Sequence, residues 1–287
     1  MKRMNISLKR IKKAITRMIR IWVIKTIPSN WLSCDENSSL IVSLTTYGSR
    51  INTVDLAVKS IMLQSRKPSK IYLWLSTESD DIVLPDRLSA LVPYGLEIIR
   101  GCENLKGHKK YLYAMKKFKK QIVVTIDDDV IYPYDTLDNL YTTYMSHPGC
   151  IVARRVHRLI FKDDEIAPYG SWIWECRDTA PSNLLLATGV GGILYPPDCF
   201  DTISFDTHLI KKYAIDADDI WLKIMEIRLK KKVVWSKNDT PHPYPIDDSQ
   251  SQALWKMNVK SGGNDSVLKS LICLFDLKLD DFQDYSS

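Results

Sequence analysis

The sequence predicts an α/β protein built on a mainly parallel sheet, and two observations carry that expectation. Between residues 40 and 126, short β-branched apolar runs alternate with stretches of helical period, the pattern left by strand–helix–strand crossovers. Those runs are continuously apolar rather than alternating, as strands covered on both faces are. The composition agrees. A chain of 287 residues with 45% hydrophobic and 26% charged residues is ordinary globular protein, long enough for one large domain or two small ones and for a sizeable core.

Taken in order, Leu40–Thr45 (LIVSLT) reads as a buried strand, and 52–64 as a helix with Val54, Ala57, Val58, Ile61 and Met62 on one face. The 70–75 run (KIYLWL) is a second strand, 85–91 a short helix behind a proline, and 96–99 a third strand. Residues 108–119 are helical, and 121–126 (QIVVTI) is a fourth, strongly apolar strand. Beyond residue 130 the pattern loosens. A helix is expected at 135–145, a strand at 150–155, a Trp- and Pro-rich loop at 162–183, a glycine-broken stretch at 184–195, a helix at 217–229 and a strand at 232–235. Helices near 250–258 and 265–277 close the chain. The first half reads as a nucleotide-binding sheet and the second as a site-forming half packed on it.

The net charge of +6 is unevenly spread. Residues 1–34 hold nine Lys/Arg and no acid, which leaves 31 basic against 34 acidic residues in the body, net −3. Nucleic-acid binding by the body therefore has no general electrostatic support. In the arm, Ile11, Ile15, Met18, Ile19, Trp22 and Val23 recur at helical spacing, with Lys9, Lys12, Lys13, Arg17 and Arg20 available to line the flanks. Residues 1–27 are expected to form a basic amphipathic helix that lies on an anionic membrane surface, or else packs on the body or a partner. Charges interrupt the arm too often for a secretory signal. Six cysteines, never closer than 23 residues, form no metal-binding pattern and read as reduced thiols of a cytoplasmic protein peripheral to the inner membrane face.

The sharpest chemical feature is Asp127-Asp128-Asp129, directly after the fourth strand. Adjacent carboxylates repel unless a cation or solvent compensates. Asp127 and Asp129, as alternate residues, form an oxygen pair suited to Mg2+ or Mn2+, which in turn holds substrate phosphates; the plain alternative is a solvated acidic turn. Ser43–Arg50 (SLTTYGSR) follows the first strand, and Thr45, Tyr47 and Arg50 there could hold a base and a phosphate, or simply form a strand-to-helix turn. In 107–111 (GHKKY), Lys109 and Lys110 open a helix against its dipole preference, which suits either a diphosphate or an exposed helix face. In 188–197 (TGVGGILYPP), Gly191 and Gly192 allow close backbone approach and could accommodate a sugar. Asp218 and Asp219 in 216–222 (DADDIWL) read either as a general base or as acids favoured in a first helical turn. His242, between prolines in 240–245 (TPHPYP), is a candidate metal ligand.

Together, the strand followed by DDDVIYP, the opening IVSLTTYGSR, GHKKY, GVGGILYPP and DDIWL resemble glycosyltransferases of the GT-A fold, nearest to family-2-type bacterial enzymes of surface-polysaccharide synthesis, over about residues 40–265. The resemblance implies a GT-A-like mixed sheet in a single catalytic domain at 35–287. It divides into a nucleotide-binding half at about 40–130, an acceptor half at about 131–265, and C-terminal helices. It also implies a nucleotide-sugar donor, most commonly UDP-linked, contacted by Asp127 and Asp128, with a divalent Mn2+ or Mg2+ on Asp127 and Asp129. The base of the Glu/Asp-Asp type would be Asp219 or its neighbour Asp218. The acceptor would be a glycan or a polyprenyl-linked sugar. This chain has Asp-Asp where the family usually has Glu-Asp, and it lacks the QxxRW signature of processive synthases, so transfer of one sugar is expected, and in-line attack by the acceptor would invert the anomeric configuration.

Two other readings compete. DDDV also satisfies the D-x-D-x-[TV] nucleophile pattern of haloacid-dehalogenase-like phosphatases, although that motif normally ends the first strand and here three strand signals precede it. A non-catalytic, membrane-peripheral scaffold or carbohydrate-binding module would lose function only on deletion of the arm, with Asp129→Asn silent.

Overall fold

The computed structural model describes residues 15–237, 243–246 and 263–284. A helix at 15–26 (α1) leads in. The expected strands follow as β1 (Leu40–Thr45), β2 (Lys70–Ser76), β3 (Leu96–Cys102) and β4 (Ile122–Thr125), separated by α2 (Val54–Met62), α3 (Asp86–Ser89) and α4 (Lys109–Lys117). The chain continues through β5 (Val130–Ile131), α5 (Thr136–Ser146), β6 (Ile151–Ala153), β7 (Val156–Arg158) and a small hairpin of β8 (Phe161–Lys162) and β9 (Glu165–Ile166). It ends with β10 (Leu185–Ala187), β11 (Ile193–Tyr195), α6 (Thr207–Tyr213), α7 (Asp218–Arg228), β12 (Val233–Trp235), β13 (Tyr244–Pro245), α8 (Gly263–Leu274) and α9 (Leu279–Phe282).

Among the described residues seven strands share one sheet in the order β12–β6–β11–β4–β1–β2–β3. Of these, only β11 runs antiparallel to its neighbours, β4 and β6; the other pairings are parallel. The fold is therefore the mixed, mainly parallel α/β sheet with flanking helices that the sequence predicts. Its second half contributes strands to that sheet and is not merely packed on it. The expected 184–195 stretch resolves into β10, a tight turn at Gly189–Gly191, and β11. The helix expected at 250–258 lies outside the described residues.

Strand period sorts the core into two layers. Leu40, Val42 and Leu44 of β1, with Ile71, Leu73 and Val124, pack on the face that also buries Val58, Ile61 and Leu137 of α2 and α5. Ile41, Tyr72, Trp74 and Val123 pack on the other, with Leu112 and Met115 of α4 and Trp221 of α7. Both faces are thus covered, which explains the uninterrupted apolar runs.

Topology also decides where a ligand can sit. β1 lies between β2 and β4, so successive connections leave the β1/β4 pair in opposite directions, and beyond the carboxyl ends at such a switch point is where open α/β sheets bind ligands. Because β11 is antiparallel, its first residue, Ile193, lies opposite Thr125, the last residue of β4. The glycine turn before β11 therefore reaches the same end as the acid triplet after β4.

α7 is anchored beneath this end by a buried ion pair. Lys223 Nζ lies 2.7 Å from Glu226 Oε2 and donates to the Leu185 carbonyl of β10 at 2.7 Å, with both side chains at most 2% exposed. Removing one partner of such a pair strands the other without water. Lys223→Met should cost about 3–5 kcal/mol in chemical denaturation, and the double change Lys223→Met/Glu226→Leu should recover most of that loss. A single variant with wild-type stability would contradict this anchoring.

Candidate active site

The acid triplet is set by the turn between β4 and β5. Tyr132, fully buried, accepts the Asp127 N–H on its hydroxyl oxygen at 2.8 Å. The Asp129 carbonyl accepts the Ile246 N–H at 2.8 Å, next to β13, which pairs antiparallel with β5.

Lys110 joins this turn to α7. The Ser43 hydroxyl of β1 donates to the Lys110 carbonyl and accepts the Trp74 indole N–H, the latter at 2.8 Å, so the start of α4 is fastened to the sheet. From there the Lys110 side chain, 10% exposed, places Nζ 2.8 Å from Asp127 Oδ1 and 3.1 Å from Asp218 Oδ2. His108, buried beside it, spans from α4 to the approach to α7. Its Nε2 lies 2.8 Å from the Ala214 carbonyl and must donate, which leaves Nδ1 to accept from the Tyr111 hydroxyl at 2.8 Å.

Two glycines make room for this cluster. A Cβ on Gly189 would stand 2.7 Å from Lys110 Nζ and 3.2 Å from Asp127 Oδ1, and one on Gly107 would stand 2.8 Å from Asp218 Oδ2. The Gly189 N–H also points to Asp219 Oδ2 at 3.4 Å, a long contact.

A second cation holds the other two acids. Arg50 Nη1 is 3.0 Å from Asp128 Oδ1, and Nη2 is 3.1 Å from Asp129 Oδ2. Thr46 donates to Asp128 Oδ2 at 2.5 Å, and the Arg50 guanidinium lies 5.3 Å from the centre of the half-exposed Tyr47 ring.

Among the described residues the five carboxylates of this end meet two ion-pairing cations, and burial together with the surplus negative charge shifts their pKa values. Burial, then the neighbouring charge of Asp218, pushes the Asp219 carboxyl up to about 8. Burial and then Asp127 push Asp129 up to about 6. For Asp218, burial works in the same direction but Lys110 and His108 outweigh it, and its carboxyl falls below the ordinary range. A shared proton in this group therefore resides on Asp219 and not on Asp218.

The residues singled out in the sequence are placed as follows. Lys110, Asp127, Asp218 and Asp219 share one cluster; Arg50, Asp128 and Asp129 form the adjoining one. Asp127 and Asp129 meet different cations. Thr45 donates its hydroxyl to the Trp74 carbonyl at 2.8 Å, while Thr46 takes the place beside Asp128. Lys109 is 1% exposed, and its ammonium makes no hydrogen bond or ion pair among the described residues; burial pulls its pKa down against Cys102, Glu78 and Asp128. Gly191 packs its α-carbon against Arg155, where a Cβ would stand 3.0 Å from the Arg155 nitrogen, and Gly192 takes φ +88°. His242 lies outside the described residues. Sequence reasoning missed Thr46, Tyr132, Gly107 and Gly189 as site-forming residues, although each falls inside one of the segments it had marked.

No family model matches the chain, and no curated protein matches it. Solved structures do. A mannosyltransferase from Pyrobaculum calidifontis, in complex with GDP-Man and Mn2+, aligns over 95% of this chain and 84% of its own at 12% identity and a TM-score of 0.47. Residues 1–349 of TarS from S. aureus align over 81% and 70% at 14% identity and a TM-score of 0.45. CMP:2-keto-3-deoxy-manno-octonic acid synthetase, complexed with CTP, aligns over 79% and 99% at 11% identity and a TM-score of 0.44.

Asp219 makes the site titrate with folding. Its carboxyl holds a proton up to about pH 8 in the folded chain but only to about 3.9 in an unfolded one. Between those values the folded state binds more protons, so its contribution to stability declines as pH rises. Asp219→Asn removes that dependence. The variant should melt higher than wild type by about 2–4 °C at pH 8.5, with a smaller gap at pH 5. A gap that does not change with pH would show that Asp219 ionises freely.

Proposed function

We propose that the chain is a metal-dependent glycosyltransferase. It would transfer one sugar from a nucleotide-sugar, UDP-linked by preference, to a hydroxyl of a glycan or lipid-linked acceptor with inversion, in surface-polysaccharide synthesis. One observation carries the proposal: at the carboxyl ends of β1 and β4, Lys110 draws together an acid triplet and a second acid pair about 90 residues away in sequence. The site thus offers a place for a diphosphate and a place for a base, the two parts that displacement at an anomeric carbon needs.

The carboxylates fit a hard divalent cation. Among the described residues no group of three or more His, Cys, Asp or Glu is placed to hold a metal alone. Mg2+- and Mn2+-type sites commonly use one or two carboxylates and complete the shell with water and substrate phosphate. Asp127 and Asp129 would supply those carboxylates, and the raised Asp129 carboxyl is relieved by such a charge. When bound, the cation neutralises charge on the leaving diphosphate.

The chain's own residues supply the rest. Arg50 fixes Asp128 and Asp129 from the β1 side, next to an open Tyr47 ring suited to stacking on a nucleoside base. Lys110 orients Asp127 and neutralises Asp218, which is thereby occupied as an ion-pair partner. Among the described residues Asp219 has no such partner cation in contact, and its carboxyl is pushed up to about 8. That supports Asp219 over Asp218 as the base, since a catalytic base serves best with a pKa close to the pH of operation. A phosphatase reading sits less well here, because the triplet follows the fourth strand in chain order and Asp127 is engaged by Lys110.

The test is a panel of nucleotide-sugars with Mn2+, read as released nucleotide and as product. Chelation should abolish transfer, and Asp129→Asn should lower it by at least about 100-fold. Asp219→Asn should reduce turnover by about 10²–10⁴-fold while donor affinity is retained. Transfer that survives both chelation and Asp129→Asn would refute the metal assignment, and weakened donor binding with an intact rate would make Asp219 a structural acid.

A further inference from the structure

α1 is docked with its charged side inward. Arg20 donates through its guanidinium to the Tyr132 carbonyl, with Nε at 3.0 Å. Arg17 lies 5.4 Å from the centre of the Tyr244 ring, and Ile24 is fully buried. Residues 17, 20 and 24 are one helical face. The other face carries Ile15, Met18, Ile19 and Trp22, spaced 3, 1 and 3 residues apart and 51, 70, 56 and 66% exposed. The sequence alone leaves Arg17 and Arg20 flanking the apolar stripe; the structure turns them into the body, and the described residues leave the stripe uncovered.

We propose that this stripe is a docking face for an anionic lipid surface, and that Arg17 and Arg20 hold the acid-bearing turn at that surface. Large apolar side chains grouped on one exposed face mark an interaction site on a soluble domain. A second copy of the chain is a poor occupant, because the 1–34 segment carries nine basic residues and no acid and two such segments repel. Leaving out the inward Arg17 and Arg20, seven basic residues of that segment remain to complement anionic headgroups, at about 1 kcal/mol per basic residue near the surface, and Trp suits the boundary between headgroup and acyl chain. The described helix of 15–26 is about 18 Å long, and no described helix is long and apolar enough to cross a membrane.

The inner face leads directly to the active site. Tyr132 offers its carbonyl to Arg20 and its hydroxyl to the Asp127 N–H. Tyr244, under Arg17, belongs to β13, which pairs with β5 just after the triplet. A docked α1 therefore fixes the position of the cleft relative to the lipid. The proposal rests on this exposure pattern and does not depend on the sugar-transfer reading.

Co-sedimentation with vesicles decides it. Full-length protein should pellet with phosphatidylcholine vesicles containing phosphatidylglycerol at low salt, and far less with phosphatidylcholine alone. Met18→Glu/Trp22→Glu should weaken binding by about tenfold or more with melting temperature unchanged, since both side chains are exposed. Analytical ultracentrifugation of both proteins identifies a competing occupant. No vesicle binding, equal binding to neutral vesicles, equal binding by the double variant, or a wild-type dimer that the variant dissociates would each overturn the proposal.

Discussion

The site depends on one ammonium group. Lys110 Nζ lies within ion-pair distance of Asp127 and Asp218, and without it the partly buried carboxylates of Asp127, Asp218 and Asp219 would repel one another. Its placement rests on the sheet: Ser43 faces α4 because strand residues alternate, and its hydroxyl holds the backbone of the very residue that carries the ammonium. The two glycines follow from the same constraint. Gly189 and Gly107 have no side chain because Lys110 Nζ and the Asp218 carboxylate occupy the volume that a Cβ would need.

Around this lysine the charges are deliberately unbalanced in effect. Asp218 and Asp219 are neighbours at the start of one helix, yet the first is held ionised and the second holds a proton. The difference is which of them the lysine reaches. Environment thus separates two identical side chains into a fixed counter-ion and a titrating acid, the separation on which acid–base chemistry relies. Surplus negative charge disfavours the bare fold, and any cation placed among these acids would relieve it.

Much of this was legible in the residues. LIVSLT, KIYLWL and QIVVTI are long enough and apolar enough to declare buried strands, and DDD at the end of the last one marks the end of the sheet where the charged cluster forms. The second half was less readable because its sheet strands are three residues long, shorter than any period can register, and because nothing local marks β11 as antiparallel. Lys110 was read as a cation set against a helix dipole, since its partners lie 17 and 108 residues away in sequence. For α1 the helical period was plain, but which face turns inward depends on a carbonyl of Tyr132 more than a hundred residues distant. Local pattern reports what a segment can bury; only the tertiary fold selects the partner that buries it.

The central claim is that Lys110 and its acids build a cation-assisted diphosphate site. The most direct measurement is calorimetric titration of the full chain with a panel of nucleoside diphosphates, with and without Mn2+, for wild type and for Asp127→Asn. The account predicts that at least one nucleotide binds wild type in the presence of Mn2+, and that binding weakens by about tenfold or more, 1.4 kcal/mol, when either the cation or the Asp127 charge is removed. Failure of every nucleotide to bind with Mn2+, or binding indifferent to both removals, would contradict it.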